Sequence, residues 1–171
     1  MNPPRNPPRF AVDSNFLMAL VEVPDAARDA LDIIRQRVPE ACVLATESVL
    51  NEIDNFIVTP SLGKRVRALK AQAALSARGI QLAPLADWQA AISEVIADKL
   101  LDQGLVPWEE KHDAHILAEA SVLGCQMLVT SDPHLLDIDR ARLSQVLQAC
   151  GAPMVAVRSP RDIARQFAGR R

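Results

Sequence analysis

Arg9-Phe10-Ala11-Val12-Asp13-Ser14-Asn15 is the stretch on which the fold turns. Phe10 to Val12 is an apolar run stopped by an acid, and it reads as a short buried strand. Directly after it, Ser14 is placed to cap a helix whose inner side is Phe16, Leu17, Leu20 and Val21. The same succession recurs down the chain. Cys42-Val43-Leu44-Ala45 reads as a second strand, with Thr46 placed to cap a helix that turns Val49, Ile53, Phe56 and Ile57 inward. Residues 127–130 read as another strand and 153–157 as the last, while 80–85 fits either a short strand or an extended connector.

The helices between them are marked by spacing and by their stops. Pro24-Asp25 opens one with Ala27, Leu31, Ile34 and Val38 as its inner line, and Pro39 ends it. Pro60-Ser61 restarts the chain, with Leu62, Val66, Leu69 and Ala73 as the inner line up to Gly79, a C-cap glycine. Residues 87–101 form a further helix ended near Gly104. Residues 109–123 form one with Ile116, Leu117 and Ala120 on one face, closed by Gly124, and 140–149 and 160–167 are helical too. Strands alternating with helices imply an α/β fold, a three-layer α/β/α arrangement around a central, mostly parallel twisted sheet. Ligands of such sheets bind outside the carboxyl ends of the strands.

Two acids fall at that edge. Asp13 follows the first strand, and Asp132 follows Met127-Leu128-Val129-Thr130-Ser131. Two more sit on helices. Glu52 lies at helical offsets from the inward Val49 and Phe56, so it borders the buried face, whereas Asp54 points elsewhere. Asp113 shares the face of Ile116, Leu117 and Ala120. Neither helix offers these acids a base at helical spacing. Gathered carboxylates repel one another and are costly to desolvate, and a divalent cation relieves both costs. All-oxygen ligands suit Mg²⁺ or Mn²⁺ rather than zinc, and such a site points to hydrolysis of phosphate esters. Taken singly, Asp13 and Asp132 also read as helix caps or turn residues after a strand.

Composition sets the outer limits. A chain of 171 residues, 49% hydrophobic, fits one domain with one core. With no Tyr and 4% aromatics, it lacks the rows of aromatic platforms on which bases stack. A net charge of −2 means that any nucleic-acid contact must use a local basic patch. Lys64, Arg65, Arg67, Lys70 and Arg78 form one such stretch, free of acids and opposite the line of Leu62, Val66 and Leu69; a solvated helix face is the plainer reading. Arg158, Arg161, Arg165, Arg170 and Arg171 form a second, and His112 and His115 flank Asp113. Cys42, Cys125 and Cys150 are scattered, without a CxxC pair, and read as small hydrophobes in a reducing cytosol, so a cytoplasmic location is expected. The start has proline pairs and no apolar core, so no signal peptide is expected, and no stretch is long enough to span a membrane. The expected organisation is a Pro-rich lead-in at 1–8, a domain at 9–158 and a basic helix or tail at 159–171. A P-loop is absent, and Ser14-Asn15-Phe16 after the first strand does not fit a phosphoaspartate phosphatase.

The four acidic motifs in order resemble the PIN domain, including the VapC-type toxin ribonucleases. That family has an apolar strand ending in Asp-x-Asn, a Glu on a helix, an Asp heading a helix, and a strand ending in Thr-x-Asp. Here stand Val12-Asp13-Ser14-Asn15, Val49-Leu50-Asn51-Glu52, His112-Asp113-Ala114-His115 and Thr130-Ser131-Asp132, over about residues 10–157. The resemblance implies a PIN-like three-layer fold and endonucleolytic cleavage of single-stranded RNA. It implies Asp13, Glu52, Asp113 and Asp132 as the catalytic and metal-holding residues for Mg²⁺ or Mn²⁺. Asn15, Thr130 and Ser131 would orient carboxylates or the phosphate. Independently of the resemblance, the acid-free stretch of Lys64, Arg65, Arg67 and Lys70 fits RNA-backbone binding as well as it fits a solvated helix face. In its toxin branch the resemblance implies an antitoxin protein as partner, and it implies a homodimer. Many members carry a further Asp, followed by Phe, shortly after the last acid; His134-Leu135 stand there instead. That departure keeps a second expectation in view, a catalytically inactive PIN-like module that binds nucleic acid or protein.

Overall fold

The computed structural model describes residues 7–22 and 26–168. The Pro-rich 1–6, the Pro24-Asp25 helix start, and Arg170 and Arg171 lie outside the described residues. Five strands form one sheet in the order β3-β2-β1-β4-β5, every pair parallel. They are β1 (Arg9–Val12), β2 (Cys42–Thr46), β3 (Gln81–Ala83), β4 (Met127–Val129) and β5 (Ala156–Arg158). β1 lies at the centre, with Ala11 opposite Leu44 of β2 and Leu128 of β4. A strand covered on both faces has no solvent side. Its residues therefore need no polar alternation, and Ala11 and Val12 are fully buried.

Helices cover both faces and complete the α/β/α layering. They are α1 (Ser14–Ala19), α2 (Ala26–Arg37), α3 (Glu47–Val58), α4 (Leu62–Ala77), α5 (Asp87–Asp102), α6 (Lys111–Val122), α7 (Pro133–Leu136), α8 (Arg140–Ala149) and α9 (Pro160–Ala168). α6 packs on β2 and β4 and against α3 and α5, α1 touches α2, α3 and α4, and α9 lies on α2. Phe16, Leu17, Leu31, Ile34, Ile53, Ile116 and Leu117 are buried between layers. Each such side chain contributes roughly 1.5–3 kcal/mol of transfer free energy.

Several local expectations are corrected. Ser14 does not cap α1. Asp13 does, and Ser14 is the first helical residue. Thr46 occupies the N-cap of α3 but makes no capping bond. The helix expected from residue 109 begins as a 3-10 turn, Trp108–Glu110, that runs into α6. β5 starts later than the apolar run predicts, and α7 went unanticipated. The ambiguous 80–85 stretch supplies the edge strand β3.

The largest correction concerns α4. The predicted inner line is outside: Leu62, Val66 and Leu69 are 71%, 41% and 51% exposed. The buried line is Ala68, Ala71 and Leu75. α4 lies against both α1 and α3, and small side chains on its packed face let helix axes approach closely. Periodicity of large apolar residues therefore marked the wrong face.

Candidate active site

The site begins where β1 stops. The Asp13 backbone N–H donates to Val129 O at 3.3 Å, tying the end of β1 to β4. Its carboxylate is almost wholly buried and used on both oxygens. Oδ1 accepts the Phe16 N–H at 2.7 Å, which starts α1 without an intervening loop. Oδ2 accepts the hydroxyl of Thr130. Thr130 Oγ1 in turn accepts the Asp132 N–H at 2.8 Å, and Asp132 Oδ1 accepts the His134 N–H at 2.7 Å. One chain of bonds thus runs from α1 through both strand-end acids to α7.

The helical acids close on the same place. Ser14 Oγ donates to Glu52 Oε2 at 2.6 Å, joining α1 to α3. Asp113, 7% exposed in the first turn of α6, has a buried Oδ2 without a hydrogen-bond partner. Such an orphan acceptor is costly and asks for a ligand. Burial pushes the Asp13 carboxyl up to about 7; the bonds from Thr130 and Phe16 oppose the rise, and the charges of Glu52 and Asp132 add to it. Asp113 rises to about 8, first from desolvation and then from the charges of Asp132, Asp13, Glu52 and Glu110. The four acids therefore share one electrostatic field. Among the described residues none of them has a salt-bridge partner.

The donors are oxygen only, the orphan oxygen faces no partner, and the mutual repulsion favours a divalent cation. As the side chains stand, however, no group of three or more His, Cys, Asp or Glu among the described residues is arranged to hold a metal ion. The fit is one of charge and donor type, not of a finished ligand set.

Two residues that hold this arrangement were not read from the sequence. Ser14 grips Glu52, a task expected of Asn15, which is exposed. Glu119 of α6, 6% exposed, accepts from Ser48 N at 3.1 Å and from Ser48 Oγ at 2.7 Å. It does for the start of α3 what Thr46 does not, and it fixes the helix of Glu52 to the helix of Asp113. Its sequence setting, Leu117-Ala118-Glu119-Ala120, signals only an interruption of an apolar face. Ser131 and His134 are exposed.

Two of the basic residues of α4 have partners of their own. Arg67 pairs with Glu22 at 2.5 Å, beyond the far end of α1, and Lys64 Nζ lies 5.7 Å from the Phe56 ring centroid. Lys64, Arg65 and Lys70 are exposed. Arg158 donates to its neighbour Val157 O, and His115 Nδ1 lies 3.7 Å from Glu94 Oε1. No helix among the described residues is long and apolar enough to cross a membrane.

A parallel sheet whose central strand ends in a buried acid, ringed by three more, defines a class of fold seen in toxin–antitoxin complexes. VapBC2 from Rickettsia felis, bound to a DNA fragment from its promoter, contains a chain that matches with TM-score 0.60 at 16% identity, over 88% of this chain and 98% of that one. DNA-bound VapBC from Salmonella typhimurium matches at 0.55 and 15%, over 90% and 98%. VapBC-5 from Mycobacterium tuberculosis, of the VapBC family of toxin–antitoxin systems, matches at 0.53 and 20%, over 88% and 98%. At these identities the likeness is one of fold, and the fold is the PIN-like one that the acidic motifs resemble. No family model and no curated protein matches the sequence.

Proposed function

We propose that this chain is a metal-dependent endoribonuclease that cleaves single-stranded RNA. The observation that carries the reading is the shared field of Asp13, Glu52, Asp113 and Asp132 at the carboxyl ends of β1 and β4, with Asp113 Oδ2 unpartnered. These four residues would hold Mg²⁺ or Mn²⁺, directly or through water. What the cation supplies when bound is a more acidic water for attack on phosphorus and neutralisation of the charge building on the phosphoryl oxygens. The chain's own part is to place oxygens. Thr130 fixes Asp13 and the Asp132 backbone, Ser14 fixes Glu52, and Glu119 fixes α3 against α6. Asn15 and Ser131, both exposed, would meet the phosphate.

An antitoxin protein is the partner this reading assigns, since the matched folds come from VapBC assemblies. The exposed stripe of Leu62, Val66 and Leu69 is apolar surface for it or for a second copy to cover. The test is cleavage of a mixed single-stranded RNA pool by purified protein with Mn²⁺. Cleavage that disappears in Asp13→Asn and Asp132→Asn supports the reading, and an intact pool at high enzyme concentration sinks it. His134-Leu135, standing where many PIN domains carry a further acid, motivates a second reading, a non-catalytic binding module. Calorimetric titration separates the two, because a module shows no heat with Mn²⁺.

A further inference from the structure

The acids account for hydrolysis but not for how a strand would lie across them. Beside them, the turn from α5 into α6 presents Trp108, 59% exposed. Among the described residues its indole has no hydrogen bond and no ring or cation partner. Trp108 begins the 3-10 turn that runs unbroken into α6, so helical spacing aligns Lys111 and His112 with it, and both are exposed. Glu109 falls on another side. The turn lies beside the acidic site, because it runs directly into the first turn of α6, where Asp113 stands.

We infer that Trp108, Lys111 and His112 form a nucleotide-docking ridge beside the four acids, with Trp108 stacking on a base next to the cleaved linkage and Lys111 and His112 meeting a phosphate. The inference rests on the nuclease reading and adds to it how substrate is held. An aromatic plate beside a lysine and a histidine is the chemistry that binds single strands without reading sequence. A tryptophan serving a protein interface would be ringed by apolar neighbours. Along the chain, the exposed residues next to Trp108 are Glu109, Lys111 and His112.

The chain has two tryptophans, so Trp88→Phe leaves Trp108 as sole fluorophore. That variant is titrated in EDTA with a short single-stranded oligoribonucleotide and with an abasic oligomer of equal length. Quenching by the base-bearing strand alone is expected. In cleavage assays with Mn²⁺, Trp108→Ala should raise KM on the order of tenfold with little change in kcat, and Trp108→Phe should recover most of the loss. Equal quenching by both oligomers, or an unchanged KM in Trp108→Ala, overturns the inference and leaves the nuclease standing. So does an unchanged KM with loss of a copurifying protein, which would assign Trp108 to a protein interface. If Trp108→Ala unfolds, Trp108→Phe against Trp108→Leu makes the same comparison. If the wild type cleaves nothing but base-dependent quenching persists, the ridge stands and the nuclease reading fails.

Discussion

Thr130 Oγ1 lies between two acids, donating to Asp13 Oδ2 and accepting from the Asp132 N–H. Valine has the same shape without the hydroxyl. Thr130→Val should therefore cost about 1–3 kcal/mol in urea unfolding, since it orphans a buried carboxylate oxygen and a half-buried N–H, and Thr130→Ser should restore most of it. Asp13→Asn should behave oppositely. It keeps an oxygen for the Phe16 N–H and removes a buried charge from a repelling cluster, so Tm by calorimetry should be equal or higher while Mn²⁺-dependent RNA cleavage disappears. At this scale the acids themselves were legible, because each either stops an apolar run or interrupts an apolar helical face. Of their holders, Thr130 was expected, while Ser14 and Glu119 were not. Ser14 meets Glu52 across 38 residues and Ser48 meets Glu119 across 71, and no local pattern encodes such pairs.

Among elements, α3 and α6 carry the two helical acids and are fastened by Glu119. Glu119→Ala leaves the α3 start uncapped and should cost about 1–2 kcal/mol in chemical denaturation. Glu119→Gln can still accept from Ser48 and should lose less. Most helices were readable from their stops, such as Gly104 and Gly124, which take positive φ. α4 was readable as a helix but not in its orientation, because Ala68 and Ala71 carry no hydrophobic signal strong enough to outweigh Leu62, Val66 and Leu69. It follows that Leu69→Lys should change the stability of the isolated chain by no more than about 0.5 kcal/mol. A loss of several kcal/mol would mean that Leu69 is packed after all.

For the molecule as a whole, the acid cluster sets a pH dependence. The Asp13 and Asp113 carboxyls titrate near 7 and 8 when folded, against 3.8 for a free side chain. Between those limits the native chain binds more protons than the unfolded one, so stability falls as pH rises. The favourable contribution is complete below about pH 4 and gone above about pH 8. Tm should therefore be lower at pH 8 than at pH 5 in EDTA, and excess Mn²⁺ at pH 8 should recover part of the difference. The layered parallel sheet was legible from the alternation of apolar runs and helical spacing, though not the strand order, which depends on pairings between distant segments. That order also governs when the protein becomes competent. Because β1 is flanked by β2 and β4, Asp13 waits for Thr130, made 117 residues later. On the nuclease reading, a ribosome-bound chain should therefore stay inactive until β4 has emerged, and any fragment ending before β4 should cleave no RNA.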